Sequence, residues 1–184
     1  EPNNPFSDDE AQAILAFVAN GGGLFVIGNH DGADRDNDGY DPVEVWNGFF
    51  NAIDGAFGIR FDSNDITDSR DNNIHDDIDN SVLHGTYGHV TGTTYFNGAT
   101  MTITSTANPD VRALIWKSSS SHGSNAVTFA TSKYGSGRIA AIGDSSAADA
   151  GSGSGQLQNG WDDSRGTNAA LFLNATRWLC REAP

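Results

Sequence analysis

Apolar residues in the first part of the chain recur at helical spacing. Ala11, Ile14, Leu15 and Val18 fall at i, i+3, i+4 and i+7, one face of a helix. Ser7-Asp8-Asp9-Glu10 just before them has the capping-box pattern, with Ser7 as N-cap and Glu10 three positions on. Gly21-Gly22-Gly23 ends that helix, and Leu24-Phe25-Val26-Ile27 reads as a strand packed on both faces. A second stripe, Trp46, Phe49, Phe50 and Ile53, follows Pro42, a residue suited to the first position of a helix. Short strands are expected from 58 to 61, 113 to 116, 126 to 130 and 138 to 142, the last two joined by a glycine turn at 135–137. Alternating segments at 93–96 and 100–104 flank Asn97-Gly98, a two-residue hairpin signal. A final helix is expected from an N-cap at Thr167 through Leu171, Ala175, Trp178 and Leu179.

Helix, glycine turn and buried strand form the second half of a βαβ unit, whose first strand would precede Glu1 and is therefore expected to be missing. The prediction is one α/β domain over 1–184, with the 93–104 hairpin as an insertion and Asp-rich loops at 29–41 and 62–80. A length of 184 residues suits one domain with its own core. The longest apolar runs are too short to span a bilayer, so no membrane segment is expected.

Charge narrows the function classes. The chain carries a formal net charge of −14, which disfavours nucleic acid and anionic membranes as partners. Of 24 acidic residues only Glu1, Glu10, Glu44 and Glu182 are glutamates, and lysine occurs only at Lys117 and Lys133. Clustered Asp with Asn and Gly builds turns and sites for hard cations, and this composition suggests a secreted, extracellular protein. Cys180 stands alone, so neither an intrachain disulfide nor a CxxC motif is available. Its apolar helical surroundings predict a buried thiol.

Asp34-Arg35-Asp36-Asn37-Asp38-Gly39 resembles the opening of an EF-hand calcium loop. Alternate carboxylates converge on one Ca2+ ion, and Gly39 supplies the sharp turn. An EF-hand closes with a bidentate Glu at the twelfth position, where this chain has Val45. Asp41 or Glu44 must then supply the closing ligand, and Asp31 is a further candidate ligand of the same loop. The run containing Asp62, Asp65, Asp68, Asp71, Asp76, Asp77 and Asp79 matches no cation template, so solvated loop and second cation site stay open there.

A second candidate lies at the strand ends. If the strands ending at Ile27 and Ile142 are parallel neighbours, His30, Asp31, Asp144 and Ser145 share one edge, where ligands bind in open sheets. Ser145, His30 and Asp144 then suggest nucleophile, base and orienter, although each residue also serves as a cap or loop former. His75, His84, His89 and His122 show no zinc-ligand spacing. The sequon Asn174-Ala175-Thr176 falls inside the final helix, where modification is not expected. Trp161 lies in a polar loop, exposed for sugar stacking or partly buried.

The segment from Gly21 to His30 resembles the glycine–strand–histidine step of the ThuA-like branch of the class I glutamine amidotransferase-like superfamily. The stretch from Tyr134 to Ser146, with the helix from Asn168 to Leu179, resembles the closing strand and helix of secreted bacterial domains of that type. The resemblance implies a flavodoxin-like three-layer sandwich with a mostly parallel sheet. The family's catalytic Cys is not carried over, because Cys180 is in the wrong place. Gly143-Asp144-Ser145 is also similar to the first block of SGNH esterases, but lies late in this chain. Two readings stay open. One is a non-catalytic calcium-binding module of a larger secreted protein, recognising a carbohydrate, another small molecule or a neighbouring domain. The other is a calcium-dependent hydrolase, esterase-like through His30, Asp144 and Ser145 or using the bound metal to activate water.

Overall fold

The structure, a computed structural model, describes residues 2–69, 73–75, 79–151 and 159–181. Helix α1 (Asp8–Ala19) starts where the pattern places it, with Ser7 and Glu10 closing a reciprocal capping box. The chain turns through Gly21, at φ 110°, into β1 (Gly23–Ile27). Helix α2 (Pro42–Ala52) carries a second capping box, Asp41 with Glu44, and Pro42 in its first turn. Then come β2 (Ile59–Phe61), β3 (Ile66–Ser69), β4 (His84–Gly85), β5 (Gly88–His89), β6 (Thr94–Gly98) and β7 (Met101–Ile103). The chain continues with β8 (Arg112–Trp116), β9 (Val127–Tyr134), β10 (Gly137–Ile142), a short 3-10 turn over Ser146–Ala148, and α3 (Asn168–Leu179).

The main sheet runs β1-β10-β9-β7-β2, with β8 also paired to β9. Among the described residues, β1 with β10 is its one parallel pair; the others are antiparallel. The flavodoxin-like sandwich with a mostly parallel sheet is therefore incorrect. Parallel neighbours need a crossover of about a dozen residues or more, usually through a helix. Here Tyr134 pairs with Gly137 across a two-residue turn, Gly135-Ser136, and no helix separates β8 from β9. Helix–strand alternation, the pattern behind the parallel expectation, stops after α2.

The expected hairpin insertion is also corrected. β6 pairs with β3 in a separate two-stranded sheet, whereas β7 joins β2 and β9 in the main sheet. Asn97 does take a positive φ of 62°, but the chain after it is captured by the residue that follows β10. The Ala99 N–H donates to the Gly143 carbonyl at 2.8 Å. A Cβ on Gly98 would stand 2.7 Å from the Asp144 Cβ, so glycine there is a close-approach residue.

Two cores cover the two faces of the sheet. Ile139 and Ala141 of β10 pack with α1 and α2, while Ala140 and Ile142 pack with α3. Leu24 and Val26 likewise face the first cluster and Phe25 and Ile27 the second, which explains the unbroken apolar run of β1. At the sheet edge, Leu24, Phe25 and Ile27 stay half-buried. The α2 stripe is buried as expected, with Trp46, Phe49, Phe50 and Ile53 all in the core. Cys180 is exposed instead of buried, because it caps α3 beyond the last core residue, Leu179. No helix among the described residues is long and apolar enough to cross a membrane.

Candidate functional site

The parallel register Ile27↔Ile142 makes the two strand ends neighbours, as the edge argument required. The ladder continues one step, Gly28 N–H donating to the Ile142 carbonyl at 2.9 Å. Asn29, His30 and Asp31 thus leave β1 beside Asp144 and Ser145 leaving β10. Asn29 is 1% exposed and donates from Nδ2 to the Ser145 Oγ at 3.3 Å. Its Oδ1 accepts the His30 N–H at 2.8 Å.

Asp144 is fully enclosed. One carboxylate oxygen accepts the Phe96 N–H at 2.5 Å and the other the Ser146 N–H at 2.8 Å. It ties β6 and the turn after β10 to one point. The His30 Nδ1 lies 2.8 Å from the Asp31 carbonyl and 3.9 Å from an Asp65 carboxylate oxygen. Ser145 and His30 share the edge without hydrogen bonding to each other; the side chain bonded to the Ser145 hydroxyl is Asn29.

The loop after β1 brings together Asp34, Asp36 and Asp38, with one carboxylate oxygen from each within 4.8 Å of the others. Asp34 accepts the N–H groups of Asp38 and Gly39 at 3.2 and 3.0 Å, and Asp38 accepts that of Tyr40 at 2.9 Å. Asn37 and Gly39 take the positive φ values, 60° and 92°, that fold the loop back on itself. Asp36 and Asp38 are exposed residues, and Asp34 is partly buried. Asp41 and Glu44 are occupied elsewhere. Asp41 accepts Gly32 N–H at 2.5 Å and Glu44 N–H at 2.8 Å, while Glu44 accepts the Asp41 N–H at 3.3 Å. Asp31 is exposed and stands outside the three-carboxylate group.

In the second Asp-rich loop, Asp62 accepts the Thr100 and Thr102 hydroxyls at 2.5 and 2.8 Å. Asp65 accepts the Asn97 amide at 3.1 Å. These carboxylates fasten the loop to β6 and β7. Asp71, Asp76 and Asp77 lie outside the described residues. Asn174 of the sequon is 1% exposed and fully engaged: Oδ1 accepts Tyr87 N–H, and Nδ2 donates to the carbonyls of Val82 and Gly88. Trp161 is partly buried against Phe172.

At the other end of β9 the surface opens into a cleft of about 260 Å³, lined by Asp110, Arg112, Lys133 and Trp178 among others. Nothing in the linear sequence linked these residues. They converge because β8, β9, α3 and the segment before β4 meet there.

No protein-family model matches the chain, and no curated protein sequence matches it. Among solved structures, the mmIFT52 N-terminal domain superposes with a TM-score of 0.59 at 15% identity, covering 100% of this chain and 75% of that one. The cytoplasmic protein STM3548 from Salmonella typhimurium superposes with a TM-score of 0.56 at 12% identity, covering 92% of this chain and 60% of that one. At such identities the likeness is one of fold. The chain is a mixed α/β domain similar in architecture to the mmIFT52 N-terminal domain, in place of the flavodoxin-like sandwich.

Proposed function

We propose that this chain is a non-catalytic, calcium-binding α/β module of a secreted protein, recognising a carbohydrate or a neighbouring domain at the carboxyl edge of β1 and β10. The convergence of Asp34, Asp36 and Asp38 carries the cation half of the reading. Three carboxylates this close repel one another, and a hard divalent cation with oxygen ligands relieves that repulsion. Oxygens already accepting a backbone N–H keep a further lone pair for an ion. The exposed, partly solvated ligand set suits affinities of about 10⁻⁴–10⁻³ M, the range of extracellular calcium modules.

The non-catalytic half rests on how the strand-end residues are employed. Asp144 spends both oxygens on backbone donors, and Ser145 is bonded to Asn29 with no base against it among the described residues. One observation favours the second reading, a calcium-dependent hydrolase: the parallel register sets His30 and Ser145 on a single edge.

Calcium at a hundredfold excess over its Kd should stabilise the fold by about 2.7 kcal/mol, raising Tm by roughly 5–10 °C for a domain of this size. Melting curves in chelator and in calcium, on wild type and Asp36→Ala, test this. The shift should vanish in the variant; equal Tm values for wild type in both buffers would refute calcium binding. A screen of esters, glycosides and phosphodiesters separates the two readings. No turnover is expected, whereas calcium-dependent turnover lost in Ser145→Ala and His30→Ala would replace the module with the hydrolase.

A further inference from the structure

Spacing along the chain separates the histidines, but the β4–β5 hairpin unites two of them. His84 pairs directly across from His89. Their imidazoles lie face to face, with ring centroids 4.1 Å apart and planes 25° from parallel. Neither ring hydrogen-bonds or ion-pairs with another described residue, and both reach solvent, His84 half-buried and His89 exposed. The backbone beneath them is held in place. Asn174 of α3 accepts Tyr87 N–H at 3.0 Å and donates to the Gly88 carbonyl at 2.9 Å. Gly85 packs so closely on Asn174 that a Cβ would collide with its amide.

This arrangement has no evident packing purpose. Stacked imidazoles without partners gain little from each other and repel when charged. Their unused nitrogens have a better use. Imidazole suits borderline transition metals such as zinc, copper and nickel. Directly opposite residues in an antiparallel pair hold their Cβ atoms about 4.5–5.5 Å apart, a span two imidazoles bridge when both ligate one ion at about 2.0–2.1 Å. We propose that His84 and His89 form a two-imidazole site for a borderline transition-metal dication, Zn2+ being the probe. Each ring swings edge-on about its own side-chain torsions, while the Asn174 clamp keeps the backbone in register. Water fills the remaining positions, because no third His, Cys, Asp or Glu among the described residues joins the pair. The site is thus exposed and exchangeable, and distinct from the Asp34 loop, whose oxygen donors choose hard cations.

His122 supplies the control. Its ring stacks on Trp116 at 4.0 Å and its Nε2 lies 2.8 Å from the Asn73 Oδ1, so its role is structural. The experiment is a calorimetric Zn2+ titration in millimolar calcium on wild type, His84→Ala, His89→Ala, the double variant and His122→Ala. Wild type should show one Zn2+ site. Losing even an outer-shell partner of a metal ligand typically costs about 10–100-fold in affinity, so each single variant should weaken binding at least about tenfold. The double variant should abolish it, and His122→Ala should leave it unchanged. Thermal melts confirm that each variant is folded, and the His84 and His89 ring resonances of wild type should shift or broaden on adding Zn2+. Equal affinity in wild type and the double variant, no binding to wild type, or unmoved ring resonances would each overturn the proposal.

Discussion

Asp144 is the residue on which most depends at the strand-end edge. Its carboxylate is enclosed and holds the partly buried Phe96 and Ser146 amides, so removing it leaves two donors without their partner. A stranded buried donor costs about 1–3 kcal/mol. Asp144→Ala should therefore destabilise the fold by about 2–4 kcal/mol in urea unfolding. Ser145→Ala, which removes one bond to Asn29, should cost less than about 1 kcal/mol. If the two variants lose equal stability, Asp144 is not the anchor described here. The same contrast separates two uses of the triplet Gly143-Asp144-Ser145, because a buried anchoring aspartate and a catalytic one look alike in sequence.

Helix ends and strand partners belong to the next scale. The Glu10 carboxyl is held below the ordinary carboxylate range, chiefly by the Ser7 backbone N–H and then by the Ser7 hydroxyl. A lowered value in the folded state means that Glu10 contributes stability above its unfolded value. That contribution fades as the pH falls through the lowered folded value. Wild type should thus exceed Glu10→Gln in stability at neutral pH, with the gap closing in acid below the ordinary carboxylate range. A gap that is constant with pH would show that the charge is not what caps α1. Replacing the cap itself, Ser7→Ala, should cost about 1 kcal/mol. Such caps are local, which is why Ser7 with Glu10 was legible from four residues and Asp41 with Glu44 was recovered once α2 was seen to begin at Pro42. Thr167 was less transparent. It stands at the N-cap of α3, but its hydroxyl donates to the Gly92 carbonyl and accepts the Thr91 N–H, serving a tertiary contact.

For the whole molecule, β9 is the hub of the sheet, paired with β7, β8 and β10 and packed on both faces. Opening β9 exposes both cores at once, whereas β4 and β5 form a two-stranded sheet of their own. Native-state hydrogen exchange should find its slowest amides in β9 and β10, near the global unfolding free energy, and much faster exchange in β4 and β5. Comparable protection in both regions would contradict that hierarchy.

Local chemistry alone determined the helices, the Ser7–Glu10 cap, the apolar strands of the main sheet and the three converging aspartates, because each depends on neighbours a few positions apart. Ala11 to Val18 and Trp46 to Ile53 bury the faces their periodicity marks. Tertiary structure decided the rest. Asn97-Gly98 would close a hairpin in isolation, yet the Gly143 carbonyl captures Ala99 and sends β6 and β7 into different sheets. Strand direction followed the connections, not the apolar runs, so the sheet became mostly antiparallel. His84 and His89 meet only because a two-residue turn and the Asn174 clamp set them opposite each other. Residues distant in sequence are brought together by backbone pairing and packing, whose partners no local pattern names.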